Sequence, residues 1–276
     1  MKRSFHKILI DKSTYLGLDL RKIKSLAKCF LLHLKRMAGF RRDLNDFTKQ
    51  KRLSRTVFEE DLLNPILFDI DDAGGTAVGH YFHQDLLVAR KIYDKKPKRH
   101  LDVGSRVDGF AAHVAVFREI EILDIRPMIS RVENIKFQCV DVSGPLAPEF
   151  RECCDSLSCL HALEHFGLGR YGDPIKYDGY EDGFRNLHLM LKKGGTFYFS
   201  VPMGPRRIEF NAHRIFSVRF LMKMINPLYL IGSFSYVDKD GHLKSNIDLY
   251  DPSVQKDIDN NFGCMFGCAI FELIKL

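Results

Sequence analysis

An α/β fold with a mostly parallel sheet, preceded by a helical extension, is what this sequence predicts, and three observations predict it. Short apolar runs alternate with segments whose apolar residues recur at spacings of three and four, as strands alternate with helices. The first such pair is joined by a glycine-bearing turn, "LDVGSRVDGF", and the next apolar run ends in an aspartate at position 124. The basic charge is confined to one end: residues 1–56 hold 16 Lys/Arg against 4 Asp/Glu, a net +12, whereas the whole chain carries only +7, leaving the body at −5.

The elements follow in order. From Arg21 to Phe40 the residues Ile23, Leu26, Ala27, Phe30, Leu31, Leu34, Met37 and Ala38 line one face of a basic amphipathic helix. That face either meets an anionic lipid surface or acidic carrier, or packs on the main domain with its lysines solvated. A second helix is expected from His83 to Tyr93, after "GHYFHQD", and the turn "KKPK" feeds the first strand. Strands are then expected through Leu101–Val103, Ile120–Asp124, Ile135–Val142 and Ser156–Leu160. A helix over Tyr180–Leu191 and the strand in "GGTFYFSVP" come next, and the tail holds two β-rich runs, "LYLIGSFSYVDKDGH" and "GCMFGCAIFELIKL", with no clear helix between them and the pattern of an antiparallel terminal pair. The domain division is 1–78, a basic helical extension, and 79–276, the α/β domain. No internal repeat is present.

At 276 residues the chain can bury one full core and carry an appendage. Its seven cysteines show no C-x-x-C pair, which argues against a disulfide framework or zinc knuckle and for a reducing compartment. Neither a signal-peptide core nor an apolar run of about 20 residues is present, so a cytoplasmic protein is expected, with peripheral membrane contact open to basic residues 1–56.

In open α/β sheets a ligand sits beyond the carboxyl ends of the strands, where the first strand-to-helix turn presents its backbone. Asp102, Gly104, Ser105, Arg106 and Gly109 occupy that turn. Arg106 stands where the second glycine of a G-x-G-x-x-G fingerprint belongs, which argues against a nicotinamide dinucleotide. Asp124, ending the second strand, can accept hydrogen bonds from ribose hydroxyls, and Asp141, ending the third, from an exocyclic adenine amine.

Together with "LKKGG" before the fifth strand, these positions resemble the class I S-adenosylmethionine-dependent methyltransferases over roughly residues 80–276. The resemblance implies a Rossmann-like, seven-stranded, mostly parallel sheet with a C-terminal antiparallel hairpin, and S-adenosylmethionine as cofactor. More narrowly, "GHYFHQDLLVARKI", "DVGSRVDGF", "SLSCLHALEHFGLGRYGDPI", "FYFSVP" and "EFNAHRIFS" resemble the methyltransferase-like family catalogued as domain of unknown function 268. Bacterial members of that family accompany surface-polysaccharide genes, which implies a saccharide or glycan-precursor substrate. The turn departs from the general pattern at Arg106 and Asp108; Arg106 either pairs with the cofactor carboxylate or forms a surface salt bridge.

A second constellation is His161, Glu164 and His165 in "CLHALEHFG" with His213 in "FNAHRIFS". The four form a ligand set for a divalent metal that polarises a hydroxyl, similar to the E-x-x-E-H plus distal His site of small-RNA 2′-O-methyltransferases, with His161 in place of the first Glu. Without a metal, His165 or His213 is a general base, with Glu164 beside it; or the set only shapes the pocket. The loop "GLGRYGDPIKYDGYEDG" has five glycines and offers Arg170, Tyr171, Asp173, Tyr177 and Tyr180 as a cover over an acceptor, or is a plain surface loop. His80, Tyr81, His83, Gln84 and Asp85 form a near wall of the cofactor site, unless His83 only caps the helix that follows; Cys153 and Cys154 read as core thiols.

The expected activity is O-methyl transfer to a saccharide or glycan precursor. Two rivals are a non-catalytic partner in a glycan-synthesis assembly and a nucleic-acid methyltransferase. Against the last, the basic residues lie on a separable helix and are not interleaved with aromatics around the cleft.

Overall fold

The computed structural model describes residues 20–55, 63–71 and 73–276. They belong to two units, Met1–Thr76 and Ala77–Leu276. In the first, helix α1 (Leu20–Leu53) runs well past the Phe40 limit read from its apolar stripe. Nothing in "RRDLNDFTKQKRL" stops a helix: it lacks Gly and Pro, Thr48 returns its hydroxyl to the Leu44 carbonyl, and Lys51 and Arg52 sit favourably in the last turn. Arg36 donates to the Leu67 carbonyl (3.0 Å), pairs with Asp71 and lies over the Phe68 ring at 4.7 Å, so one short turn of chain covers this part of the helix. Leu26, Phe30 and Leu31 are exposed. The first 19 residues of the expected basic arm lie outside the described residues. No helix among the described residues is long and apolar enough to cross a membrane.

The second unit is built on one large sheet. Helix α2 (His80–Lys95) leads into β1 (His100–Val103), a π-type turn (Val107–Ala111) with the short α3 (Ala112–Ala115), β2 (Ile120–Asp124), β3 (Ile135–Cys139) and β4 (Cys154–Leu160). Helix α4 (Gly179–Met190), β5 (Leu191–Met203), a hairpin of β6 (Arg207–Glu209) and β7 (His213–Ile215), α5 (Val218–Ile225), β8 (Tyr229–Val237), β9 (Leu243–Lys244), α6 (Gln255–Asp259) and β10 (Gly267–Lys275) complete it. The strand order is β3-β2-β1-β4-β5-β10-β8-β9. The pairs among β1 to β5 are parallel, while β10 inserts antiparallel between β5 and β8. A parallel 3-2-1-4-5 set continued by an inserted antiparallel strand is the class I methyltransferase arrangement, and it differs from a dinucleotide-binding sheet in that insertion.

Helices cover both faces, as a parallel sheet requires. Val88 and Ile92 of α2 and Phe110 and Val114 of the β1–β2 crossover pack on one face, and Phe184 and Leu187 of α4 with Leu221 and Ile225 of α5 on the other. Four details depart from expectation. α2 starts at His80, three residues early, after Gly79 with φ of 98°. β3 stops at Cys139, because Asp141 then accepts from the amide (2.8 Å) and hydroxyl (2.6 Å) of Ser143 and turns the chain. The two residues of β9 add an eighth strand at the edge, and the tail contains the short helix α6.

Candidate active site

Two adjoining cavities open at the carboxyl ends of the strands. The first, about 370 Å³, has Gly104, Ser105 and Arg106 after β1, Asp124 to Arg126 after β2, and Asp141 after β3 on its wall. The second, about 330 Å³, is bounded by His80, Glu164, His213 and Phe266, and it shares Tyr81, His161, His165, Arg170 and Tyr171 with the first.

In the first cavity Gly104 makes the turn, with φ of +76° and its amide bonded to the Leu123 carbonyl (2.9 Å); a Cβ there would stand 2.7 Å from the Ala162 Cβ. Backbone therefore lies bare against the cavity where a side chain has no room. Asp102 and Gly109, expected to face a ligand, do not line the cavity. Asp102 is fully buried and accepts from the Ser105 amide (3.1 Å), the Ser105 hydroxyl (2.8 Å) and the Ser158 hydroxyl, so it anchors the turn from behind. Burial pushes its pKa up to about 7, with the serine hydrogen bonds opposing. Gly109 lies behind the wall against Asp85, whose Oδ2 would be 2.8 Å from an added Cβ.

Asp124 is held by a group that sequence reading did not single out. Arg126 donates to it through its amide (2.8 Å), Nε (3.0 Å) and Nη2 (2.6 Å), and sets its guanidinium over the Tyr171 ring at 4.5 Å. Arg106 turns both arms of its fork to Asp108 at 3.0 and 2.7 Å, which is the surface salt bridge of the two readings.

In the second cavity the four expected metal ligands meet the same space without forming one ligand set. Glu164, 1% exposed, accepts a hydrogen bond from His161 Nδ1 at 2.9 Å and lies 3.7 Å from His165 Nε2; its other oxygen is buried without a partner. His165 donates from Nδ1 to the Ala212 carbonyl (2.7 Å), which leaves Nε2 as the bare nitrogen. Burial pulls the His165 pKa down, against the nearby Glu164 and the Ala212 bond. His213 is drawn toward Glu209, its Nε2 3.2 Å from Oε2, with its ring centroid 6.5 Å from that of His165. Among the described residues, the His, Cys and acidic donors that converge within 4.8 Å of one another are instead His80, His161 and Cys268.

The glycine-rich loop is held by its backbone. Asp173 accepts from the amides of Gly167 (2.8 Å), Gly169 (3.1 Å) and Tyr171 (3.2 Å). Arg214 of β7, 3% exposed, donates to the carbonyls of Phe166 (2.6 Å) and Tyr177 (2.7 Å) and lies over the Tyr180 ring. Tyr171 reaches both cavities with its ring against the edge of His165, whereas Tyr177 and Tyr180 line neither. His83 also lines neither; it lies in the first turn of α2 and is not its cap.

The model of a family described as Caenorhabditis protein of unknown function, DUF268, matches residues 117–260. The chain belongs to this family. The matched stretch of the DUF268 chain holds Asp124, Asp141, His161, Glu164, His165 and His213, while the Gly104 turn and β10 lie outside it. No curated protein matches the sequence. Among solved structures the chain is similar to Burkholderia thailandensis 1,6-didemethyltoxoflavin-N1-methyltransferase, which has 1,6-didemethyltoxoflavin and S-adenosylhomocysteine bound: 15% identity, 70% of this chain, 78% of that one, TM-score 0.48. It is similar also to the N-methyltransferase NodS of Bradyrhizobium japonicum, in complex with S-adenosylhomocysteine, at 11% identity over 77% of this chain and 93% of that one, TM-score 0.47. A third is an S-adenosylmethionine-dependent methyltransferase of Clostridium acetobutylicum, 14% identical over 71% and 92% of the two chains, TM-score 0.45.

Proposed function

We propose that this chain transfers a methyl group from S-adenosylmethionine to a hydroxyl of a saccharide or glycan precursor. The observation that carries the reading is the pair of adjoining cavities whose common wall is Tyr81, His161, His165, Arg170 and Tyr171. A methyl transfer needs donor and acceptor side by side and aligned, and holding two reactants so supplies most of the rate.

The first cavity fits the cofactor on its own chemistry. Gly104 provides a bare-backbone cradle, and Asp124 and Asp141 present carboxylates at the ends of adjacent strands, suited to a ribose diol and an adenine amine. When bound, S-adenosylmethionine supplies an electrophilic methyl group on sulfur. The chain's own residues do the rest. Arg126 shares Asp124 with the ribose and fixes the orientation of its carboxylate. The Tyr81, Tyr171 and Phe266 rings suit the C–H faces of a sugar, and the imidazoles of the second cavity suit its hydroxyls. His165 takes the acceptor's proton at Nε2, because Nδ1 is committed to Ala212 and burial keeps the ring neutral.

Calorimetry on the full chain tests the cofactor half of the reading. S-adenosylmethionine and S-adenosylhomocysteine are expected to bind and NAD not. Asp124→Ala is expected to weaken both by about 1.5 to 3 kcal/mol, the loss of hydrogen bonds to a charged acceptor. Binding of NAD alone, or equal affinity in the variant, refutes it.

A further inference from the structure

The donors His80, His161 and Cys268 come from three distant parts of the chain: the start of α2, the residue after β4, and β10. The inserted strand makes the meeting, since Cys268 pairs with Pro202 of β5 and Val237 of β8. The ligand-capable atoms of the three lie within 4.8 Å of one another. His161 is 8% exposed; with Nδ1 committed to Glu164 at 2.9 Å, its Nε2 is buried without a hydrogen-bond partner. A buried ring nitrogen left bare is rare. The backbone of His161 also sits at φ of +52°, a left-handed position uncommon for a side-chain-bearing residue, and is fastened by its amide to the Ser200 carbonyl (3.0 Å) and hydroxyl (3.1 Å). The ring is thus held where it is at a conformational cost.

We propose that His80, His161 and Cys268 bind a thiophilic divalent transition-metal ion, Zn²⁺ in the first place, leaving its fourth position open to the second cavity. Two imidazoles and a thiolate are a soft nitrogen–sulfur set that favours zinc over magnesium or calcium. Glu164 is the positioning residue: a carboxylate that accepts the far N–H of a ligating imidazole fixes its tautomer and raises its basicity. Binding releases the Cys268 thiol proton to solvent. Cys268 is fully buried and lines neither cavity, so a covalent role has no route to a substrate, whereas an ion among the three donors touches the space that His80 and His161 border. The use of the open position, polarising the acceptor hydroxyl, rests on the methyltransferase reading; the binding of the ion does not.

The test uses the full chain, stripped with a chelator and dialysed, with Zn²⁺ followed by calorimetry and Co²⁺ by absorption. One ion per chain is expected, and Co²⁺ should give the intense visible bands of four-coordinate cobalt with a thiolate-to-cobalt charge-transfer band in the near ultraviolet. Cys268→Ser should abolish the charge-transfer band. His80→Ala, at a half-buried site, should abolish tight binding with the circular-dichroism spectrum unchanged. Glu164→Gln should weaken Zn²⁺ by about 10- to 100-fold while keeping the band, and His213→Ala should bind as wild type. Wild-type protein that takes up no ion, a Co²⁺ spectrum without the thiolate band, undiminished binding by His80→Ala, or a loss in His213→Ala equal to that in His80→Ala each overturns the proposal. S-adenosylhomocysteine titrated into the same samples separates the two readings: metal without cofactor binding leaves the site standing and removes the methyltransferase role, and the reverse removes the site alone.

Discussion

Gly104 is the position on the wall of the first cavity where a single added methyl group can be followed in both stability and binding. Replacing it with alanine forces a side chain onto a backbone at φ of +76° and sets a Cβ 2.7 Å from the Ala162 Cβ. The left-handed backbone costs about 1–2 kcal/mol, and crowding a packed wall about 1–3 kcal/mol, so Gly104→Ala should lower unfolding stability by about 2–5 kcal/mol. Gly172 separates the two parts, because it has φ of +88° with no atom within 4 Å of an added Cβ. Gly172→Ala should therefore lose only the backbone part, about 1–2 kcal/mol. Ala162→Gly opens the wall, and in the double variant with Gly104→Ala the crowding part should return as a coupling energy of about 1–3 kcal/mol. Urea unfolding followed by circular dichroism gives all four values, and S-adenosylhomocysteine affinity should fall in Gly104→Ala while Gly172→Ala keeps it. Equal destabilisation by the two glycine substitutions, or no coupling with Ala162→Gly, refutes the close-packed cradle.

His165→Gln should slow methyl transfer about 10²- to 10⁴-fold. Because burial lowers the His165 pKa, the wild-type rate should be flat at neutral pH and fall only below the ordinary imidazole range, as the base is protonated; a midpoint above 6.5 contradicts the assignment. Asp102, whose pKa stands at about 7 in the folded chain against 3.8 unfolded, holds its proton more tightly when folded, so its contribution to stability is complete below pH 3.8 and lost as pH rises through about 7. That loss is on the order of 4 kcal/mol at most, and Asp102→Asn should flatten the urea-measured stability between pH 4 and 7.5; parallel curves for the two proteins rule it out.

The chain of strands and the acids at their ends were readable because each is a local pattern. A strand followed by Gly104, and runs ending in Asp124 and at Asp141, carry their meaning within a few residues, and the cavity wall bears all three. Asp102 misled for a related reason: from sequence an acid in that turn can face the ligand or the turn's own amide and serine, and only the buried Ser158 from β4 decides. The α1 helix outran its apolar stripe because periodicity marks a buried face, whereas a helix with an exposed flank continues until something stops it. Nothing local joined His80, read as a wall of the cofactor site, to Cys268. They are far apart in the chain, and they meet because β10 enters the sheet between β5 and β8, which spacing along the sequence cannot report. Arg214 was equally silent: a buried guanidinium suggests an acid, yet its nearest partners are carbonyls.

The way the 166–177 loop is held has a consequence for how this family can diversify. Asp173 grips three amides, Arg214 two carbonyls, and Arg170 and His165 both reach the Ala212 carbonyl. These ties read the course of the main chain and are indifferent to what projects from it. Residues such as Tyr171, Ile175 and Tyr177 can therefore be exchanged with the loop still following the same path. A cover of this build separates the part that keeps its shape from the part that faces the cavities, and it lets a lineage change what those cavities admit through a few substitutions at the tip while the cradle and strands below stay as they are.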